Sequence, residues 1–237
     1  MQIIADLHTH TIASGHAYST VNELAAAAAD KGLQALAITD HGPALPGGPH
    51  LYHFGAMRFI PREINGVRIL LGCEANILNP DGEIDLPDHY LHRLDFVMAG
   101  FHEDCGFDNQ GMLRNTQALK NAMESRRLHA VSHPGNPLFP VDYEEIVLTA
   151  VRTGTALEIN NSSFGMSRCG SRPNCENLAR LIARHGALVA VGSDAHIAQN
   201  VGIFDQALAV IAEAGISEAQ VVNSSPERLD AFLSSRG

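Results

Sequence analysis

The sequence is short of several things, and each shortage excludes something. It has no tryptophan, only 5% aromatic residues, and no long apolar run. The longest apolar stretches, such as residues 24–29 and 187–191, fall far short of the ~20 residues needed to span a bilayer. Basic residues are scarce: 16 Lys and Arg against 26 Asp and Glu leave a formal net charge of −10. That balance argues against a general binder of nucleic-acid backbones, which needs clustered cations. A small basic pocket can still sit inside an acidic average. Cysteine is sparse, with Cys73, Cys105, Cys169 and Cys175 forming no C-x-x-C pair. The N-terminus reads MQIIADLHTH, with an acid and two histidines where an export signal needs an apolar run. Reduced thiols and a cytoplasmic location away from membranes are therefore expected.

What is present points to a folded α/β chain. With 45% hydrophobic and 18% charged residues, it is too apolar to remain disordered. Seven short apolar runs, at 2–7, 35–39, 67–73, 94–100, 128–132, 156–160 and 187–192, read as strands buried on both faces. Helical patterns lie between them at 21–31, 113–124, 143–152 and 174–185, and after the last strand at 204–214 and 226–233. Asn174 and Ser225 are expected N-caps, and Gly32, Gly154, Gly186 and Gly215 expected C-terminal stops. Alternation of this kind implies a parallel sheet, either open and doubly wound or closed as a barrel; periodicity does not choose between them. No repeat or charge block marks a boundary, so a single domain over 1–237 is expected. Residues 42–49 and 103–111 read as long functional loops.

The thirteen histidines are the outlying number. Set against the expected strands, they fall at strand ends: Asp6-Leu7-His8-Thr9-His10, Asp40-His41, Cys73-Glu74, His102-Glu103, His133-Pro134 and Asp194-Ala195-His196. Six of the seven strands thus finish on a histidine or a carboxylate. In parallel α/β folds these ends share one rim, where sites assemble. His8 and His10, two apart on extended backbone, project to the same side, as do Asp194 and His196. Imidazole with carboxylate suits zinc, manganese or iron. His50, His53, His89, His92, His129 and His185 carry no such signal and read as surface or packing residues.

The segments DLHTH (6–10), TDHG (39–42), GCE (72–74), GFH (100–102), SHP (132–134) and GSDAH (192–196) together resemble the PHP (polymerase and histidinol phosphatase) family. HAYST (16–20), MRFIPR (57–62), EANI (74–77), DGEID (81–85), SHPGNP (132–137) and LEINNSSF (157–164) extend the likeness, which is similar to the YcdX-type phosphatase branch, over nearly the whole chain. The resemblance implies a distorted seven-stranded (β/α) barrel with three divalent ions, zinc first and manganese or iron as alternatives, at the C-terminal strand ends. Position by position, it implies one ion among His8, His10, Glu74 and Asp194. Glu74 would bridge to a second ion held by His102 and His133, and His16, His41 and His196 would hold a third. His16 lies in a loop and rests on the resemblance alone.

The expected activity is hydrolysis of small phosphomonoesters by a metal-bound hydroxide, with Glu74, Asp194 and His196 in the reacting centre. No nucleophilic serine or cysteine is required. Asp6, Asp40 and Glu103 either orient ligand imidazoles or face solvent. Arg58 and Arg62 are the expected substrate-binding residues; Arg168 and Arg172 are further candidates, each against the reading of a solvated surface arginine. Asn160, Asn161 and Ser162 are candidates for the same rim. The expected partner is a small phosphorylated substrate, with no nucleic acid and no membrane; a homo-oligomer is left open. Two other readings stand beside the phosphatase. A PHP-type nuclease is disfavoured by the acidic charge, and a non-catalytic metal-binding module by the complete ligand set.

Overall fold

In the computed structural model, which describes residues 1–165 and 167–235, seven strands run parallel in the order β1 (Ala5–Asp6), β2 (Ala35–Ile38), β4 (Val67–Asn76), β5 (Phe96–Gly100), β6 (Ala130–Val131), β7 (Ala156–Asn160) and β8 (Val189–Gly192). A short strand, β3 (Glu63–Ile64), pairs antiparallel with the start of β4. Each expected strand is found, although β1 and β6 keep only two regular residues.

The sheet closes nearly into a barrel. Beyond the last regular pairs, Thr9 bridges Ala195 in parallel, Asp194 N–H donates to His8 O at 2.9 Å and His10 N–H to Ala195 O at 2.9 Å. Lower down, β1 and β8 splay apart and the Asn223 side chain fills the gap. Its Nδ2 donates to Ala5 O and Val191 O at 2.8 Å each, and its Oδ1 accepts from Val191 N–H at 3.2 Å. One side chain thereby satisfies strand-edge groups that would otherwise lie buried and unpaired.

Strand alternation builds two cores. Inward residues Ala5, Ala35, Ala37, Leu70, Phe96, Met98, Ala130, Ala156 and Ala190 form an apolar plug, mostly of alanine because a seven-stranded barrel is narrow. Outward residues such as Ile38, Ile69, Val97, Leu157, Ile159 and Val191 pack under the helices. These are α1 (Val21–Asp30), α2 (Tyr52–Ala56), α3 (Asp88–Leu91), α4 (Met112–Glu124), α5 (Tyr143–Thr153), α6 (Arg172–His185), α7 (Asp205–Ala214) and α8 (Pro226–Ser234). Gly154, Gly186 and Gly215 end α5, α6 and α7 in the left-handed region. Gly32 is also left-handed, one residue past the C-cap Lys31.

Ser225 caps α8 as expected, its hydroxyl accepting from Arg228 N–H. Asn174 does not cap α6. The helix begins two residues earlier at Arg172, with proline in its first turn, and Asn174 Nδ2 donates instead to Gly135 O at 3.1 Å. Among the described residues, no helix is long and apolar enough to cross a membrane.

Candidate metal centre

All nine expected ligands meet at the C-terminal rim, directly above the apolar plug. His8 and His10, on the extension of β1, bring their Nε2 atoms within 3.0 Å of each other. Glu74, near the end of β4, is fully buried and reaches five imidazoles. Its Oε2 lies 3.1 Å from His8 Nε2, 3.4 Å from His10 Nε2 and 3.1 Å from His41 Nδ1. Its Oε1 lies 2.6 Å from His133 Nε2 and 3.1 Å from His102 Nε2. Asp194 Oδ1 lies 3.3 Å from His10 Nε2, 3.5 Å from His8 Nε2 and 3.5 Å from His196 Nδ1. The His16 ring centroid is 4.8 Å from that of His196 and 5.1 Å from that of His41. Three sets of donor atoms, from His8–His10–Asp194, His41–Glu74–His102 and His10–His41–His196, each fall within 4.8 Å of one another.

The 3.3–3.5 Å spacings from His10 to Glu74 and from Asp194 to His8 and His10 fit ligands of a divalent ion, and the remaining Glu74 spacings are shorter. Tetrahedral bonds of about 2.0–2.2 Å put ligand atoms roughly 3.3–3.6 Å apart. Glu74 Oε2, Asp194 Oδ1 and His41 Nδ1 are buried with no hydrogen-bond partner, an expensive arrangement for polar atoms that a cation relieves.

The electrostatics point the same way. Burial alone would raise the Glu74 carboxyl, but its imidazole neighbours, His8 first, hold it well below the usual range. Asp194 is likewise lowered despite burial, by His8 and Arg168. Burial lowers His10, His16 and His41, and takes His133 down to about 4. Neutral imidazoles and ionised carboxylates are the forms that bind metal. His8 is the exception: burial opposes its charge, but Glu158, Glu74 and Asp194 override it and raise the value.

The backbone is shaped around this cluster. His133 and Asp194 have φ of +29° and +57°, which non-glycine residues rarely adopt and which gather at functional sites. Asp40 is buried and accepts from Thr11 N–H at 2.7 Å, Thr11 Oγ1 and Ser14 Oγ at 2.8 Å each, and His53 Nε2 at 3.1 Å. Ser14 Oγ in turn faces His10 Nδ1 at 3.1 Å, so Asp40 orients that ring through a serine. Asp6, also buried, grips backbone instead, accepting from the N–H groups of Ser193, Gly202 and His8. Glu103 is exposed on the cavity wall. His53 therefore belongs to the support of the cluster, although its position gave no signal.

A cavity of about 650 Å³ opens over the cluster, lined by His16, His41, His102, Asp194 and His196 together with Arg168, Glu103, Asn136, Phe139 and Ser162. The Arg168 side chain is 13% exposed and its Nη1 lies 2.8 Å from Asp194 Oδ2. Asn160 Nδ2 donates to the same oxygen at 3.2 Å.

The other arginines are not brought here. Arg62 pairs with Asp95, just before β5, and so sits at the opposite, N-terminal rim. Arg58 is exposed, donates to Gly55 O at 2.7 Å and stacks on Phe59. Arg172 donates to Gln206 and stacks on Phe164. Asn161 Oδ1 accepts from the N–H groups of Gln206 and Ala207 at the start of α7.

One central residue escaped the strand-end reading: Glu158, which lies 2.7 Å from His8 Nδ1. A charged residue midway along a strand buried on both faces was the available signal.

The PHP domain model matches residues 6–212. A protein named "probable phosphatase" from Syntrophotalea carbinolica is 51% identical over 96% of this chain and 95% of its own length. One of the same name from Shewanella sediminis is 50% identical over 100% of this chain and 96% of its own. Among solved structures, a histidinol phosphate phosphatase from Lactococcus lactis, complexed with zinc, L-histidinol and phosphate, superposes with a TM-score of 0.62. That match covers 90% of this chain and 94% of the other at 16% identity, a likeness of fold. By sequence match along most of its length, this chain belongs to the PHP-domain family.

Proposed function

We propose that the chain is a phosphatase that hydrolyses small phosphomonoesters at a centre of three divalent ions, zinc first, with manganese or iron as alternatives. The observation that carries the reading is Glu74, a buried carboxylate whose two oxygens face separate histidine groups and so can bridge two ions. Nearly full-length relatives named as probable phosphatases support the reaction class.

His8, His10, Glu74 and Asp194 would hold one ion, Glu74, His102 and His133 a second, and His16, His41 and His196 a third. When bound, such ions supply Lewis acidity at phosphoryl oxygens and a water acidic enough to ionise near neutral pH. Three dications against two carboxylates leave about four positive charges, enough to draw a phosphate into a chain of net charge −10.

The chain's own groups would do the rest. Arg168, held by Asp194, presents a guanidinium to the cavity and would bind phosphate oxygens. Asp194 would thus help to hold an ion beside His8 and His10 while its Oδ2 positions the arginine. His196 Nδ1 donates to Asp194 O at 3.0 Å, which leaves its Nε2 for the third ion. The Phe101 and Phe139 rings, stacked at 5.1 Å, give the cavity one apolar wall.

The test is elemental analysis of unchelated protein together with catalytic efficiency on a panel of sugar, amino-alcohol and nucleotide monophosphates beside single-stranded DNA. Bound transition ions and preference for a monoester are expected. Faster cleavage of internal phosphodiester bonds would replace the reading with a nuclease.

A further inference from the structure

We infer that Glu158 is a positioning residue that ties a ligand of the first ion to a ligand of the second, so that the two sites form as one unit. This rests on the three-ion reading above. Glu158 lies in the middle of β7, where alternation turns Ala156, Glu158 and Asn160 inward and sends Leu157 and Ile159 to the outer core. Below it is the apolar plug; above it are the histidines. At 2% exposure, its carboxylate has to find its partners inside the barrel.

Both oxygens are used, and on different strands. Oε1 accepts from His8 Nδ1 at 2.7 Å. Oε2 accepts from the His133 backbone N–H at 2.7 Å and from Asn160 Nδ2 at 3.2 Å. A carboxylate on Nδ1 keeps the proton on that nitrogen and leaves the Nε2 lone pair of His8 toward Glu74 and Asp194, 3.1 and 3.5 Å away. The bond to His133 holds that residue at φ +29°, with its ring aimed at Glu74 Oε1. The two imidazoles stack at 6.0 Å between centroids.

The neighbouring strand makes room for this contact. A Cβ on Gly192 would lie 2.5 Å from Glu158 Oε1 and 2.5 Å from His8 Cβ, so any side chain there drives carboxylate and ring apart. Asn160, bonded both to Glu158 Oε2 and to Asp194 Oδ2, extends the tie to a third ligand. A purely architectural tie would need neither the open space at Gly192 nor one oxygen for each of two ligands.

The test compares wild type with Glu158→Gln, Glu158→Asp and Gly192→Ala. Zinc affinity of the metal-free proteins is measured by competition with a chelating dye, and their unfolding temperature by circular dichroism. In Glu158→Gln a single carbonyl oxygen cannot serve both His8 and His133. Two ions are then expected to weaken together by roughly 10–100-fold, with the third nearly unchanged. Gly192→Ala is expected to give the same pattern with every charge in place, and Glu158→Asp to recover part of the loss.

Glu158→Gln that binds all ions at wild-type affinity would overturn the inference. So would an earlier melt of the metal-free protein with unchanged affinities, the mark of a structural role alone. If Glu158→Gln is insoluble, Gly192→Ala decides, and wild-type affinity there overturns the inference. Wild type that binds no zinc refutes the three-ion reading as well, whereas wild type and variant that both bind three ions with the same affinities refute only the role of Glu158.

Discussion

Glu74 and Arg168 carry the sharpest expectations for single residues. Replacing Glu74 with glutamine removes the anionic bridge and places a donor among imidazole lone pairs. Loss of at least one ion per chain and a fall in kcat on the order of 10²–10³ are expected, read by elemental analysis and steady-state kinetics. Full occupancy with near-normal turnover would disprove the bridge. Arg168→Ala should lower kcat/KM by about 2–4 kcal/mol in transition-state stabilisation, since a charged hydrogen bond to phosphate and the partner of Asp194 Oδ2 are lost together. Arg58→Ala and Arg62→Ala should stay within about twofold of wild type in both kcat and KM, because both side chains are engaged away from the cavity. Histidines and acids at strand ends revealed the cluster because chain direction alone sends those ends to one rim. Arg58 and Arg62 lie between strands, where sequence does not say which rim a side chain serves, and Asp95 claims Arg62 from the wrong end. Arg168 was one arginine among four until the fold set it against Asp194.

Between β1 and β8, below the Thr9–Ala195 bridge, the strand edges are joined through one side-chain amide, that of Asn223. Asn223→Ala would leave Ala5 O and both polar groups of Val191 without these bonds, inside the protein. A loss of about 2–4 kcal/mol in urea-unfolding free energy is expected; a change under 0.5 kcal/mol would show that water or backbone takes over the gap. Each of the seven barrel strands and every long helix was legible from apolar periodicity. Closure was not, because pairing of the first strand with the last is non-local and leaves no periodic trace. Nor were α2, α3 and β3, each of five residues or fewer, too short to show a period. Asn174 misled for a local reason: it is a good N-cap residue, but Pro173 favours a helix that has already started.

Across the whole molecule, an acidic exterior surrounds a cluster in which desolvation lowers His10, His16, His41 and His133. Stability of the chelated protein should therefore depend on pH. His10, His16 and His41 are lowered and His133 sits at about 4. The unfolded chain thus binds more protons as pH falls below about 6.5, and stability drops from there toward pH 4. Glu74 and Asp194, also lowered, reinforce the loss at the acid end. His8 runs the other way: its raised value contributes fully below about 6.5 and fades as pH rises through it. With four histidines against one, urea midpoints of chelated protein should fall between pH 6.5 and 4, and a flat or rising profile would show that the imidazoles are charged when buried.

The most direct test of the central claim is a titration of chelated protein with zinc while hydrolysis of p-nitrophenyl phosphate is followed. The metal-free chain should be inactive, with activity appearing as ions bind and levelling off at about three per chain. Phosphatase activity that survives chelation, or zinc that binds to saturation without producing any, would contradict it.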